Sequence, residues 1–243
     1  NNRLLNNNKR NQNKTLKYFN KNKPKVIFNN TVVNGVILEK LSKLNTPIIS
    51  RIPELETVMK IYQVRFNSTN KVLKYSSNFI TPSLSGKKNL IDNFNIAQDK
   101  IEVAYGTILK KSNLYAVNNE AELNKIGIPN DSFVVGACGG LGWRKGSDLF
   151  LKVAKHLSEF EKIVFMWIGV DETQAGYLEF VYEIKKLNLQ TKVFTVPYIK
   201  DIHKYYQLMD VFLMTSREDP FPLVNLEAMT NGIPVICFKD SGG

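Results

Sequence analysis

From residue 132 to the end of the chain, short apolar runs alternate with segments of helical spacing, and that alternation leaves few folds open. The runs at 133–137, 163–168, 192–196, 211–214 and 233–238 read as strands. Between them, residues 147–159, 175–187 and 202–209 read as helices, the first with Leu149, Phe150, Val153, Ala154 and Leu157 on its apolar side. A fourth helix precedes the last run: Pro220 and Pro222 suit its first turn, Asn231-Gly232 ends it and Pro234 stops it from continuing. Strands that alternate with helices pair in parallel through right-handed crossovers, so this half is expected to form a doubly wound α/β sheet.

The first half follows the same grammar less cleanly. Strands are expected at 25–28, 47–49, 71–75 and 100–103, with helices at 33–44 and 82–93. The polar stretch 111–131 is the best candidate for a connection, with a short helix at 123–126. The expected organisation is a leader at 1–23, a partial Rossmann-like domain at 24–117, a linker at 118–131 and a second Rossmann-like domain at 132–243.

The net charge of +11 belongs mostly to one end, because residues 1–30 hold eight Lys or Arg and no acid, which leaves +3 for the rest. That end is also rich in Asn, a composition with little capacity to bury surface. It reads either as a segment attracted to anionic lipid or as a solvated, biased leader. Cys138 and Cys237 both fall in expected buried strands and form no metal or disulfide framework, which points to a reducing compartment. No apolar stretch approaches the ~20 residues of a membrane span and no secretory pattern opens the chain, so a cytoplasmic protein is expected. His156 and His203 are single histidines without metal-ligand spacing, and Tyr205, Tyr206 and 165–167 read as core aromatics.

Two stretches carry candidate chemistry. The first is the glycine-rich loop Gly139 to Gly146, between a strand and a helix, where backbone amides approach an anion and Arg144 and Lys145 supply positive charge. It is neither G-x-G-x-x-G nor a Walker loop. The second is Asp219 with Glu227, eight positions apart across a helix start whose amides at Leu223 and Val224 face outward. One carboxylate suits sugar hydroxyls and the other a ribose diol. The plainer readings are that Asp219 caps the helix and that Glu227 is solvated.

The string from Ser216 to Ile236 resembles the signature of retaining family-4 glycosyltransferases, in which an acid, seven residues and a glutamate open the donor-binding helix. Asp219 stands where that pattern usually has Glu, and Glu227 matches. The resemblance implies a GT-B fold of two Rossmann-type doubly wound parallel-sheet domains, the N-terminal one incomplete. It implies a donor site at Gly140, Arg144, Lys145, Asp219, Pro220, Phe221, Leu223, Val224 and Glu227, with Asp219, Lys145 and Arg144 acting in catalysis. Gly140 stands where many members have Arg, and Arg144 is expected to take that part. The implied substrate is a nucleotide-diphosphate sugar with no cofactor and no required metal, and the implied acceptor is a glycan or lipid carrier in cell-surface glycan synthesis.

In the first half, Asn30-Thr31 and Pro53-Glu54-Leu55 fall where related members often read Asn-Thr and His-Glu-Leu. Pro53 removes the acceptor-side histidine, while Arg51 and Glu54 read as ordinary loop charges. The chain lacks the helices with which members continue and the strand with which they begin, so an incomplete enzyme is expected. The other readings are a catalytically inactive nucleotide-sugar-binding fragment or scaffold, and a nucleic-acid binder resting only on residues 1–30. Peripheral contact with the inner face of an anionic membrane through residues 1–25 accompanies the transferase reading, with no nucleic acid as partner.

Overall fold

The computed structural model describes residues 18–108, 118–200 and 202–242, and the chain divides into two compact α/β units with the boundary between Tyr105 and Gly106. The expected leader lies mostly at residues 1–17, outside the described residues. Both units are built on parallel sheets, as the alternation of the sequence predicts.

The first unit contains β1 (Ile27–Asn29), β2 (Ile48–Arg51), β3 (Asn78–Thr81) and β4 (Ile101–Val103), which pair in that order. Between them run α1 (Gly35–Leu41), α2 (Glu56–Val64), α3 (Ser68–Tyr75) and α4 (Leu84–Phe94). An order that never reverses keeps right-handed crossovers on one face. Ile48, Phe79 and Ile101 accordingly share one core with Leu38, Val72 and Leu90 from the helices, while Phe28 on β1 is 60% exposed. Among the described residues, helices packed on both faces of a sheet are found in the second unit.

The stretch 71–75, expected as a strand, belongs to α3, and the strand lies at Asn78–Thr81. Its buried residues explain the difference: Ser68, Thr69 and Val72 follow helical spacing. Ser68 Oγ accepts from the Gly35 amide at 2.8 Å, and Thr69 Oγ1 donates to the Met59 carbonyl at 2.6 Å, so α3 is tied to both α1 and α2.

The second unit opens with α5 (Asn119–Ile126), inside the stretch expected as a linker, and Leu123 on α5 joins the unit's core. There follow β5 (Phe133–Cys138), α6 (Ser147–His156), β6 (Ile163–Ile168), α7 (Tyr177–Lys186), β7 (Val193–Val196), α8 (His203–Tyr206), β8 (Val211–Met214), α9 (Leu223–Thr230) and β9 (Val235–Cys237). The sheet order is β7-β6-β5-β8-β9. The chain thus winds outward from β5 in one direction, then crosses back beside β5 and continues in the other.

Alternate residues of these strands feed two cores. Val135, Ala137, Phe165, Trp167 and Leu213 pack with Phe150, Leu151 and Phe180 from α6 and α7. Val134, Val164, Met166, Phe212 and Met214 pack on the other face with Leu123, Tyr206 and Ala228. Burial on both faces explains why these strands read as continuous apolar runs. Cys237 departs from expectation: it lies in a strand but is exposed, because β9 is an edge strand of the described sheet.

Candidate functional site

The reversal of strand order lies between β5 and β8, and crevices at the carboxyl ends of such strands are where open α/β sheets hold ligands. The glycine-rich loop leaves β5, and the segment carrying Asp219 leaves β8, so both stretches singled out from the sequence arrive at that crevice.

The two loops are laced together by their backbones. Arg217 N donates to Arg144 O at 2.9 Å, Thr215 Oγ1 donates to Lys145 O at 3.2 Å, and Arg144 Nη1 donates to Glu218 O at 3.2 Å. Gly146 makes this approach feasible. It has φ of +67°, and a Cβ there would stand 1.9 Å from the Thr215 carbonyl oxygen. A second clamp comes from Arg217, whose guanidinium binds both Asp148 carboxylate oxygens at 2.7 Å, donates to Trp143 O and lies over the Trp143 ring. The hydrogen bonds from Arg217, and then its charge, hold the Asp148 carboxyl below its usual pKa.

Lys145 and Asp219 meet directly. Lys145 Nζ lies 2.5 Å from Asp219 Oδ2, with Arg144 Nη1 4.0 Å from the same oxygen. Asp219 is only 6% exposed, and its amide donates to Ser241 O at 2.8 Å, which brings the Ser241-Gly242 segment against it. The carboxylate therefore answers a cation and does not cap α9. That helix starts at Leu223, with Pro222 at the N-cap position and no side-chain cap, so Pro220 and Pro222 precede the first turn and do not lie inside it.

Glu227 occupies the second turn of α9 and is partly buried, which removes the purely solvated reading. Its Oε2 accepts from Tyr206 Oη at 2.9 Å. The Cys138 thiol at the end of β5 links both halves of the site: burial and the Glu227 charge push its pKa up to about 11, while the Lys145 charge pulls the other way. Arg144, Lys145 and Asp219 are gathered where the loops after β5 and β8 meet, and Glu227 stands on α9, the helix that follows. Gly140 is exposed, and a Cβ there would meet only Gln174 Oε1, at 4.0 Å; Phe221 precedes α9, and Leu223 and Val224 begin it.

Sequence reasoning missed three residues of this arrangement. Arg217, Gln174 and Tyr206 act across long separations that no local pattern reports. Gln174 Oε1 accepts from Leu141 N at 3.2 Å and its Nε2 donates to Gly169 O at 2.8 Å, pinning the glycine-rich loop to the one after β6. A separate cavity of about 320 Å³ between α6 and α7 shares Gly142 and Trp143 with the loop, but neither Lys145, Asp219 nor Glu227 lines it.

At the carboxyl edge of the first sheet, Glu54 corrects the loop-charge reading. Thr31 Oγ1 donates to its Oε1 at 2.5 Å, and its Oε2 is buried without a well-formed hydrogen bond among the described residues. Burial pushes the Glu54 carboxyl pKa up, against the pull of Thr31 and the backbone amides of Val32 and Glu54. Arg51, expected in a loop, instead ends β2 and pairs with Ile80, while its guanidinium donates to Asn30 Oδ1 at 3.1 Å. A carboxyl with a raised folded-state pKa contributes stability that is present below its unfolded value and lost as pH rises through the folded one. The wild-type melting temperature should therefore fall relative to that of Glu54→Gln as pH climbs above 4.5, the ordinary value. Parallel melting curves would show that the carboxyl ionises without cost.

The two parallel-sheet units are those of the GT-B class of fold. HepE from Anabaena, solved in complex with UDP-glucose, superposes with a TM-score of 0.78 over 96% of this chain and 64% of its own, at 20% identity. The family model for glycosyl transferases group 1 matches residues 118–243, and the chain belongs to that family. Among curated relatives, the Escherichia coli O-antigen biosynthesis glycosyltransferase WclY is 32% identical over 109 residues, 45% of this chain and 29% of WclY. The uncharacterized glycosyltransferase MJ1607 of Methanocaldococcus jannaschii is 26% identical over 172 residues, 69% of this chain and 43% of MJ1607. The chain thus spans less than half the length of either curated relative.

Proposed function

We propose that this chain binds a nucleotide-diphosphate sugar in the crevice between β5 and β8 and transfers the sugar, with retention, to an acceptor hydroxyl in cell-surface glycan synthesis. The observation that carries this reading is the meeting of Lys145 and Asp219 between the loops after β5 and β8, with Glu227 on α9, the helix that follows Asp219. A diphosphate placed at Lys145 and Arg144 would have its sugar beside Asp219 and its ribose beside Glu227. The UDP-glucose bound by HepE and the O-antigen role of WclY support the same substrate class and setting.

In this reading the residues divide the work as follows. Lys145 and Arg144 stabilise the charge that develops on the departing diphosphate, with the amides of Leu223 and Val224 adding oriented dipoles. Asp219 accepts hydrogen bonds from donor-sugar hydroxyls, and Glu227 accepts them from the ribose diol. The departing phosphate oxygen takes the acceptor proton, since Pro53 offers no side-chain base. The acceptor is a glycan or lipid carrier. The basic residues near the N-terminus attract anionic headgroups, and among the described residues no helix is long and apolar enough to cross a membrane.

The Pro53 substitution favours one second reading, a nucleotide-sugar-binding module without turnover. Calorimetry with UDP and GDP in EDTA, followed by donor hydrolysis and transfer to a panel of glycans and lipid carriers, tests both. Micromolar binding with turnover is expected. Binding without turnover supports the module, and no binding of either nucleotide removes both.

A further inference from the structure

Tyr206 is a large buried side chain near the site whose polar atom the mechanism above leaves unused. It closes α8, is 0% exposed, and packs beside Phe212 with ring centroids 5.9 Å apart. Its hydroxyl has a single proton and two acceptors within reach, Glu227 Oε2 at 2.9 Å and Val224 O at 3.4 Å. The shorter contact is to a carboxylate, and such charge-assisted bonds are the stronger ones. Burial and the Glu227 charge raise the phenol pKa, so the hydroxyl stays a donor throughout the physiological range.

The consequence concerns the freedom of Glu227. A glutamate on a partly exposed helix face samples many rotamers, and fixing it on ligand binding costs side-chain entropy. Here one oxygen is already anchored to a side chain that the core immobilises. The other oxygen, Oε1, accepts no hydrogen bond among the described residues. We propose that Tyr206 is a positioning residue, which holds the Glu227 carboxylate so that Oε1 and the second lone pair of Oε2 meet a vicinal diol of the donor nucleoside.

This inference rests on the donor reading and on Glu227 as the diol acceptor. Its test compares UDP with 2′,3′-dideoxy-UDP, and GDP with its dideoxy analogue, by calorimetry on the wild type and on Tyr206→Phe. The wild type should prefer the ribonucleotide by more than tenfold. In Tyr206→Phe that preference should fall to about twofold, through weaker binding of the ribonucleotide alone. If the phenylalanine variant does not fold, 4-fluorophenylalanine at position 206 fills the hydroxyl's space without donating.

Each outcome decides something. A preserved preference in the variant overturns the positioning role, and equal weakening of both nucleotides reduces Tyr206 to a packing residue. A wild type that binds UDP or GDP without distinguishing the dideoxy form overturns the inference and leaves the diphosphate site standing. A wild type that binds none of the four ligands overturns the donor reading and the inference together.

Discussion

Gly146→Ala is expected to lower the melting temperature by about 6–12 °C and to weaken nucleotide binding at the same time, although no side chain that touches the donor is altered. The new Cβ would sit 1.9 Å from the Thr215 carbonyl oxygen, and the residue would keep a φ of +67° that alanine adopts at a cost. Relief requires the loop after β5 to withdraw from the loop after β8. Backbone strain and the lost hydrogen bonds together come to about 3 kcal/mol. For a chain of this size that converts to the stated range at about 2–4 °C per kcal/mol. Withdrawal would also carry Arg144 and Lys145 away from the segment that bears Asp219 and leads into α9, so affinity should fall with stability. A variant that melts like the wild type and binds UDP normally would show that the two loops are not held in register by this contact.

The second large effect is expected from Lys145→Ala. Nucleoside diphosphate affinity should drop more than tenfold, since the cation closest to the Asp219 rim is lost. Stability should drop as well, because Asp219 is nearly buried and would keep only Arg144, 4.0 Å away, as a counter-charge. An uncompensated carboxylate in that setting costs about 1–3 kcal/mol. The two consequences have separate causes and should come apart in the double variant. Adding Asp219→Asn to Lys145→Ala should restore most of the melting temperature and leave affinity low, which thermal melts and calorimetry read independently. Recovery of both, or of neither, would mean that Lys145 acts on the nucleotide only by holding the fold.

The legible parts of this protein are those written in local pattern. Ile163–Ile168 and Val211–Met214 emerge with the boundaries expected of them, because strands buried on both faces leave uninterrupted apolar runs. The stretch 71–75 reads as a strand in sequence and folds as a helix, because Lys-Val-Leu-Lys-Tyr is too short to separate a two-residue period from a helical one. The strand at Asn78–Thr81 was hidden by its polar ends, although Phe79 is in the core and Thr81 is buried. Cys237 shows a third limit, since being an edge or a central strand depends on neighbours that the residue itself does not name.

The site divides along the same line. Lys145, Asp219 and Glu227 stood out through resemblance and through their places at helix starts. Their partners did not: Lys145 and Asp219 are 74 residues apart, Arg217 and Asp148 are 69, and Tyr206 and Glu227 are 21. Glu54 looked like a solvated charge because nothing in Pro-Glu-Leu reports that Thr31 would fold over its carboxyl. Pairings of this kind are consequences of sheet order: Thr31 meets Glu54 because β1 and β2 are neighbours, and Lys145 meets Asp219 because β5 and β8 are.

The most direct test is a structure of the chain with a nucleotide-diphosphate sugar bound. The phosphates should lie at Lys145 Nζ and the Arg144 guanidinium, with the Lys145–Asp219 contact opened, the sugar at Asp219 and the ribose at Glu227. A nucleotide seated elsewhere, with the Lys145–Asp219 pair still closed, would contradict the account.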